Sequence, residues 1–349
     1  MEGVSPVRAA RILVGLAVSV VFAAATLTRV DLGSMAHALG RAAPLGVALG
    51  ILFALLEIGV RAWRWRFLLS PLGKVSYRHA FAYTCVGYFA NTLLPMRLGD
   101  VARAYLAASA LRLPRMATLG SIVTERLADG LTILVVAAGL GLLVTGALGA
   151  GTVTLWVVLA LVALLGVGGL WLLAAKRPEL VARFIPARVR LLIGQLIQGA
   201  RAVRSPRGLC ITVGSTLLAY FFSVSVVLAV AASVGLSISW PQAAFVAAWI
   251  ALSTAIPAAP GSVGTYEFVG VSALMLVNQD PALALAAVVL IHAIATLTGA
   301  LIGLVMTWVL HLRVWRLADG TLPGPESAAQ SASGAGTAAT RPSGAGAGE

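Results

Sequence analysis

The sequence predicts an all-α polytopic membrane protein, a helix bundle with two inverted repeats that each contain a re-entrant or broken helical hairpin. Three observations lead there. Of 349 residues, 60% are hydrophobic and only 11% charged, less than half the ~25% of an average chain. No Asp, Glu, Lys or Arg occurs from Gly130 to Ala175, from Gly208 to Tyr266 or from Pro281 to Leu312, and each run exceeds the ~20 apolar residues that cross a bilayer as a helix. Two further apolar segments are broken by proline and glycine in the same way, Pro95-Met-Arg-Leu-Gly99 and Pro260-Gly-Ser-Val-Gly264.

The net charge of +13 does not mark a nucleic-acid binder. The bases sit in short segments beside apolar spans, as the positive-inside bias predicts, and no basic region interleaved with aromatics exists. Cys85 and Cys210 both lie in apolar segments without a CxxC partner, so both read as small buried hydrophobes, and neither a metal site nor a cofactor is expected.

Taken in order, residues 1–11 form a cytoplasmic N-terminus and Ile12 to Thr28 a first, uncleaved span. Pro44 to Val60 is a second, ending in Arg61-Ala-Trp-Arg-Trp-Arg66, read as a cytoplasmic anchor with interfacial Trp63 and Trp65. Glu57 lies one turn before Arg61, a spacing that pairs them. The segment Phe81 to Ala110 begins and ends beside basic flanks and is interrupted by Asn91, Pro95, Arg97, Gly99, Asp100 and Arg103, so a hairpin dipping in from the cytoplasm is expected, with full spanning of 77–116 as the alternative. Spans follow near Leu119 to Leu148 and Val153 to Ala174. The segment Lys176 to Arg207 carries eight Lys or Arg against Glu179 alone, and its wheel sets Arg188, Gln195, Gln198, Arg201 and Arg204 opposite an apolar face, which reads as an interfacial helix on the anionic inner leaflet.

Leu209 to Ala232 spans again, Ser233 to Gln242 is an uncharged outer loop, and Ala243 to Ile256 enters once more. Pro257, Pro260, Gly261 and Gly264 break it, Val263 to Asn278 returns, and Pro281 to Leu310 is the last span, with 242–279 either re-entrant or fully spanning. On this topology 20 of the 25 Lys and Arg fall inside and both termini are cytoplasmic. The membrane domain covers 12–316, and 317–349 is a Gly/Ala/Ser/Pro-rich tail too poor in apolar bulk to fold.

The two broken segments enter from opposite sides, which points to inverted halves with a substrate site between them. Arg97, Asp100, Arg103, Glu125, Arg126, Asp129 and Glu267 would each cost about 2.5 to 3.5 kcal/mol unpaired at the bilayer centre, so they must be paired or wet. Glu125 and Asp129 share a helix face, and Arg126 can bridge to Asp129. A structural ion-pair lattice and a polar cavity for charged cargo both remain open at this point. His292 in the last span reads as a hydrogen-bonded packing residue.

Three blocks, Asn91-Thr-Leu-Leu-Pro95-Met-Arg97-Leu-Gly99-Asp100-Val-Ala-Arg103, Thr124-Glu125-Arg126-Leu-Ala-Asp129 and Ile256-Pro257-Ala-Ala-Pro260-Gly261-Ser-Val-Gly264-Thr-Tyr-Glu267, resemble the signature blocks of the lysylphosphatidylglycerol synthase transmembrane region, also called the flippase-like family. The resemblance covers roughly Ile12 to Trp315. Members typically carry Gly-Glu where this chain has Gly99-Asp100, and often Pro-Gly-Arg at Pro95-Met96-Arg97. It implies movement of a lipid or lipid-linked molecule across the cytoplasmic membrane, with an anionic or lipid-linked cargo and a separate synthase or glycosyltransferase as partner. The implied substrate-binding set is Asn91, Pro95, Arg97, Gly99, Asp100, Arg103, Glu125, Arg126, Asp129, Pro260, Gly261, Gly264 and Glu267.

Arg97, Arg103 and Arg126 would take a phosphate, as guanidinium forks suit phosphate oxygens. No aminoacyl-transfer domain follows the last span, so the chain is expected not to be an enzyme. The competing expectations are an intramembrane lipid-modifying transferase using Asp100 or Glu125 as base, and a non-catalytic scaffold. No G-x-x-x-x-G-K-[ST] phosphate loop is present, which excludes ATP-driven transport by this chain alone.

Overall fold

A computed structural model describes residues 6–28, 30–94, 98–144, 150–177, 179, 187–254, 256 and 258–312. All regular structure among them is helical: α1 Pro6–Leu27, α2 Leu32–Gly40, α3 Pro44–Leu69, α4 Tyr77–Leu93, α5 Leu98–Leu111, α6 Arg115–Val144, α7 Ala150–Lys176, α8 Ala187–Gln198, α9 Pro206–Ser233, α10 Trp240–Ser253, α11 Thr265–Leu276 and α12 Pro281–Val309. The breaks follow local chemistry. Proline stands in the first turn of α3, α9, α10 and α12, where its missing N–H costs nothing. Asp31, Ser76, Ser205 and Asp280 cap the free N–H groups of α2, α4, α9 and α12.

Helices α3, α9 and α12 are long and apolar enough to cross a membrane, and α1 with α2, bent by 88°, makes a fourth candidate if the pair counts as one span. The bundle is apolar outside and buries charged side chains within an apolar core. Leu45, Val162, Leu301 and Trp308 are exposed while Arg64 and Glu125 are fully buried, the distribution expected of a surface solvated by lipid rather than water. Helix α3 packs along α9, and α12 along α4.

Both broken segments fold back as helical hairpins. In the first, Gly99 of α5 packs against Gly87 and Asn91 of α4, and the Asn91 Oδ1 accepts from the Gly99 N–H at 2.9 Å. In the second, α10 leads through a 3₁₀ turn at Pro260–Ser262 into α11, whose Gly270 lies against Ile250 of α10. Pro95, Arg97 and Pro257 lie outside the described residues, as does the tail at 317–349.

The coordinates correct four expectations. Trp65 is fully buried rather than interfacial, its indole N–H donating to the Ser121 hydroxyl at 3.1 Å; Trp63 is exposed as expected. Cys85 is buried but Cys210 is exposed on the outer face of α9. In the basic segment, Ile197, Ala200 and Val203 pack against the bundle, where Leu68 of α3 and Ala175 of α7 join the cluster, because backbone-close glycines at Gly120 and Gly199 let α8 dock on α6. Those three residues of the apolar face therefore serve helix packing rather than the lipid surface. Gln242, read as part of the outer loop, belongs to α10, where with Ser239 it forms a capping box.

Candidate functional site

Helix α3 sets the geometry. Glu57, Arg61 and Arg64 recur at i, i+4 and i+7, so one face of an apolar helix carries three charges toward the interior. Glu57 binds Arg61 at 2.8 Å, as its spacing predicted. Arg61 reaches Asp129 of α6 at 3.0 Å. Arg64, with no exposed surface, holds the same carboxylate through both terminal nitrogens, at 2.6 and 3.1 Å. It also donates to the Thr216 hydroxyl of α9 at 2.5 Å. The bidentate geometry is the strongest form of the arginine–carboxylate pair.

Helix α6 supplies the acids' second half. The Glu125 Oε1 lies 3.5, 3.4 and 3.3 Å from guanidinium nitrogens of Arg64, Arg103 and Arg126, while its buried Oε2 has no hydrogen-bond partner. Arg103 stands over the Trp65 ring at 4.5 Å, a cation–π contact. Arg126 meets Asp100 at 3.0 Å and Asp129 at 3.6 Å. Among the described residues four guanidiniums thus face four carboxylates, and their charges balance. One member differs: the Arg126 side chain keeps 33% of its surface exposed, against 0–1% for Arg64 and Arg103.

A second polar group lies at the other hairpin. Gly261 and Gly264 take φ of 73° and 87°, left-handed values natural to glycine. The Glu267 Oε2 accepts from the Gly264 N–H at 2.7 Å, its Oε1 meets His292 Nδ1 at 2.5 Å, and His292 Nε2 meets the Gly261 carbonyl at 2.8 Å. Tyr266 stacks on the imidazole, 4.0 Å between ring centres. Ser19 of α1 accepts from the Ala259 N–H at 3.0 Å. Pro260 begins the turn itself.

The expected site residues therefore divide. Asp100, Arg103, Glu125, Arg126 and Asp129 converge in the first network, Gly261, Gly264 and Glu267 in the second, and Asn91 and Gly99 latch the first hairpin. Glu57 stands between the groups, bonded to Arg61 and within electrostatic reach of Tyr266. Sequence reading missed Arg61, Arg64 and Thr216, having placed both arginines in the inner flank. The signal was present in the i, i+4, i+7 pattern from Glu57. The expected Arg126–Asp129 bridge is present but secondary, because Asp129 is held mainly by Arg64. The double exchange Arg126→Asp with Asp129→Arg still sets a guanidinium against Arg61 and Arg64, as Asp129→Arg alone does, so the swap should recover no inserted protein beyond the better of the two single changes. Recovery above the singles would contradict this network.

A helical membrane bundle with buried, mutually compensated charges on broken helices is the class these features define. The family model of the lysylphosphatidylglycerol synthase TM region matches residues 12–303, and the chain belongs to that family. It is 30% identical over 331 residues to a Haloferax volcanii protein named glycosyltransferase AglD, an alignment covering 82% of this chain. The chain spans about half, 52%, of that relative's length. This finding overturns the expectation that the chain is not an enzyme. That expectation rested on one missing kind of transfer domain, and similarity to a protein named for another kind of transfer removes its ground.

Proposed function

We propose that this chain binds a lipid-linked sugar through its phosphate at the polar interior of the bundle and moves it between leaflets in the service of glycosyl transfer. The observation that carries the reading is Arg126, the network arginine whose side chain keeps a third of its surface open. Asp100 holds it through Nε at 3.0 Å and Glu125 through Nη2 at 3.3 Å, while Nη1 has Asp129 at a looser 3.6 Å, so a phosphate can take Nη1 without displacing Asp100 or Glu125. Arg97 and Arg103, Asn91 and Pro95 complete the proposed phosphate side, and the Pro260–Gly264 turn with Glu267 the opposite wall, the two hairpins standing as inverted halves. The similarity to a protein named a glycosyltransferase supports a sugar on the lipid. It also favours a second reading, in which the chain itself takes part in the transfer onto the lipid.

The proposed setting is the cytoplasmic membrane, with both termini and Lys176–Arg207 inside and the short loop before Trp240 outside, since the first carries eight bases and the second none. Single cysteines in a Cys85 and Cys210 replacement background test this. An impermeant reagent should reach the loop before Trp240 in intact cells, and its reaching the basic segment instead would sink the topology. Function is tested by lipid analysis of each leaflet in a deletion strain carrying wild type or Arg126→Gln. Altered sidedness with Arg126→Gln supports translocation, loss of total glycolipid supports transfer chemistry, and full complementation by Arg126→Gln refutes the site.

A further inference from the structure

Both ring nitrogens of His292 face acceptors. The Gly261 carbonyl can only accept, so Nε2 carries a hydrogen. Nδ1 stands 2.5 Å from the Glu267 Oε1, and that contact needs a proton as well. Either the imidazole is doubly protonated beside a carboxylate, or a neutral imidazole accepts from a protonated carboxyl. In both forms the pair holds one proton more than a neutral histidine and a carboxylate would.

We propose that His292 and Glu267 form a proton-binding site that clamps the Pro260–Gly264 turn. The inference does not depend on the lipid cargo. With the proton bound, the pair is neutral overall, and its two outer contacts hold the turn at two points, the Gly261 carbonyl and the Gly264 N–H. Loss of the proton leaves one ring hydrogen for two acceptors, so a bare imidazole lone pair faces either the carboxylate at Nδ1 or the Gly261 carbonyl at Nε2, and the pair carries a net negative charge. His292 then withdraws and the turn loses one of its two ties. Since the proton is the ligand, the clamp holds at low pH and releases as pH rises.

The groups that face the pair set its surroundings. Tyr266, on the same helix as Glu267, stacks on the ring. Glu57 of α3 lies within reach of Tyr266, and Tyr88 of α4, which packs on Gly299 of α12, lies within reach of Glu57 and Arg61. Helix α10 carries no titratable side chain, and α1 carries only Arg8 and Arg11, in its first two turns. The other acid that shares this region, Glu57, is paired with Arg61.

The test uses the full chain in lipid bilayers. A spin label on Val263→Cys, an exposed position in the turn, in a Cys85→Ala and Cys210→Ala background reports turn mobility against pH. The expected ratio of mobile to immobile label rises by about tenfold per pH unit through the transition, the slope of a single proton. Glu267→Gln should abolish the transition and keep the label immobile, because its amide donates to Nδ1 and its carbonyl still accepts from Gly264. A transition unchanged in Glu267→Gln, or none in wild type, overturns the proposal. If Glu267→Gln does not insert, nitrogen-15 histidine spectra of wild type decide, with His292→Gln assigning the signal. The proposal expects both ring nitrogens to bear or share a proton at low pH and one of them to be bare at high pH, and a bare ring nitrogen at every pH refutes it.

Discussion

Replacing Arg64 with Met is expected to cost about 3 to 5 kcal/mol, the loss typical of removing one partner from a buried ion pair, and to remove most of the inserted protein. Arg64 has no exposed surface, and it gives Asp129 its shortest guanidinium contact, at 2.6 Å, and a second at 3.1 Å. Its loss leaves Asp129 to Arg61 and the more distant Arg126, and takes from the Thr216 hydroxyl the donor it accepts from, leaving that hydroxyl its bond to the Thr212 carbonyl. The cost should come mainly from the uncompensated carboxylate, so Arg64→Met combined with Asp129→Asn should recover part of it. Thermal unfolding in detergent measures both. A single variant as stable as Arg201→Gln, which changes an exposed arginine, would show that the network contributes nothing.

Gly264→Ala should be nearly as damaging, at more than about 2 kcal/mol, since a strained backbone position costs 1 to 3 kcal/mol before any clash is added. Its φ is 87°, and a Cβ there would strike the backbone carbonyl of Ser19 in α1, which no rotamer change relieves. Gly99→Ala meets the same obstacle, with the Gly87 carbonyl and the Asn91 amide in the way. Gly214, in mid-helix with open space around its missing Cβ, is the control, and Gly214→Ala should be neutral or stabilising by up to about 1 kcal/mol. These costs fall on folding as much as on activity, because each glycine lets two backbones touch. Equal stability of Gly264→Ala and Gly214→Ala would remove the argument.

Much of the fold was legible because the bilayer imposes coarse rules. Uncharged runs longer than a membrane is thick became α9 and α12, and Pro95, Gly99, Pro260 and Gly264 marked the two hairpins before any coordinates did. The Glu57–Arg61 pair was legible for the same reason, since both ends lie on one helix. Arg64 was not, because its partners Asp129 and Thr216 are 65 and 152 residues away and a basic residue near a helix end reads equally well as a flank anchor. The face of α8 illustrates another limit. An amphipathic wheel reports that an apolar side must be covered, and the glycine contacts at Gly120 and Gly199 that choose protein over lipid are not periodic.

Transbilayer movement of a phosphate-linked sugar lipid in liposomes holding only the purified chain tests the central claim most directly. A labelled sugar on an isoprenoid phosphate is placed in one leaflet, and its exposure to an impermeant quencher is followed in time. Wild type should move the lipid faster than empty liposomes and faster than a matched neutral lipid without phosphate, while Arg126→Gln, reconstituted in equal amount, should fall to the empty-liposome rate. Equal movement of the phosphate and neutral lipids, or full activity of Arg126→Gln, would contradict the account.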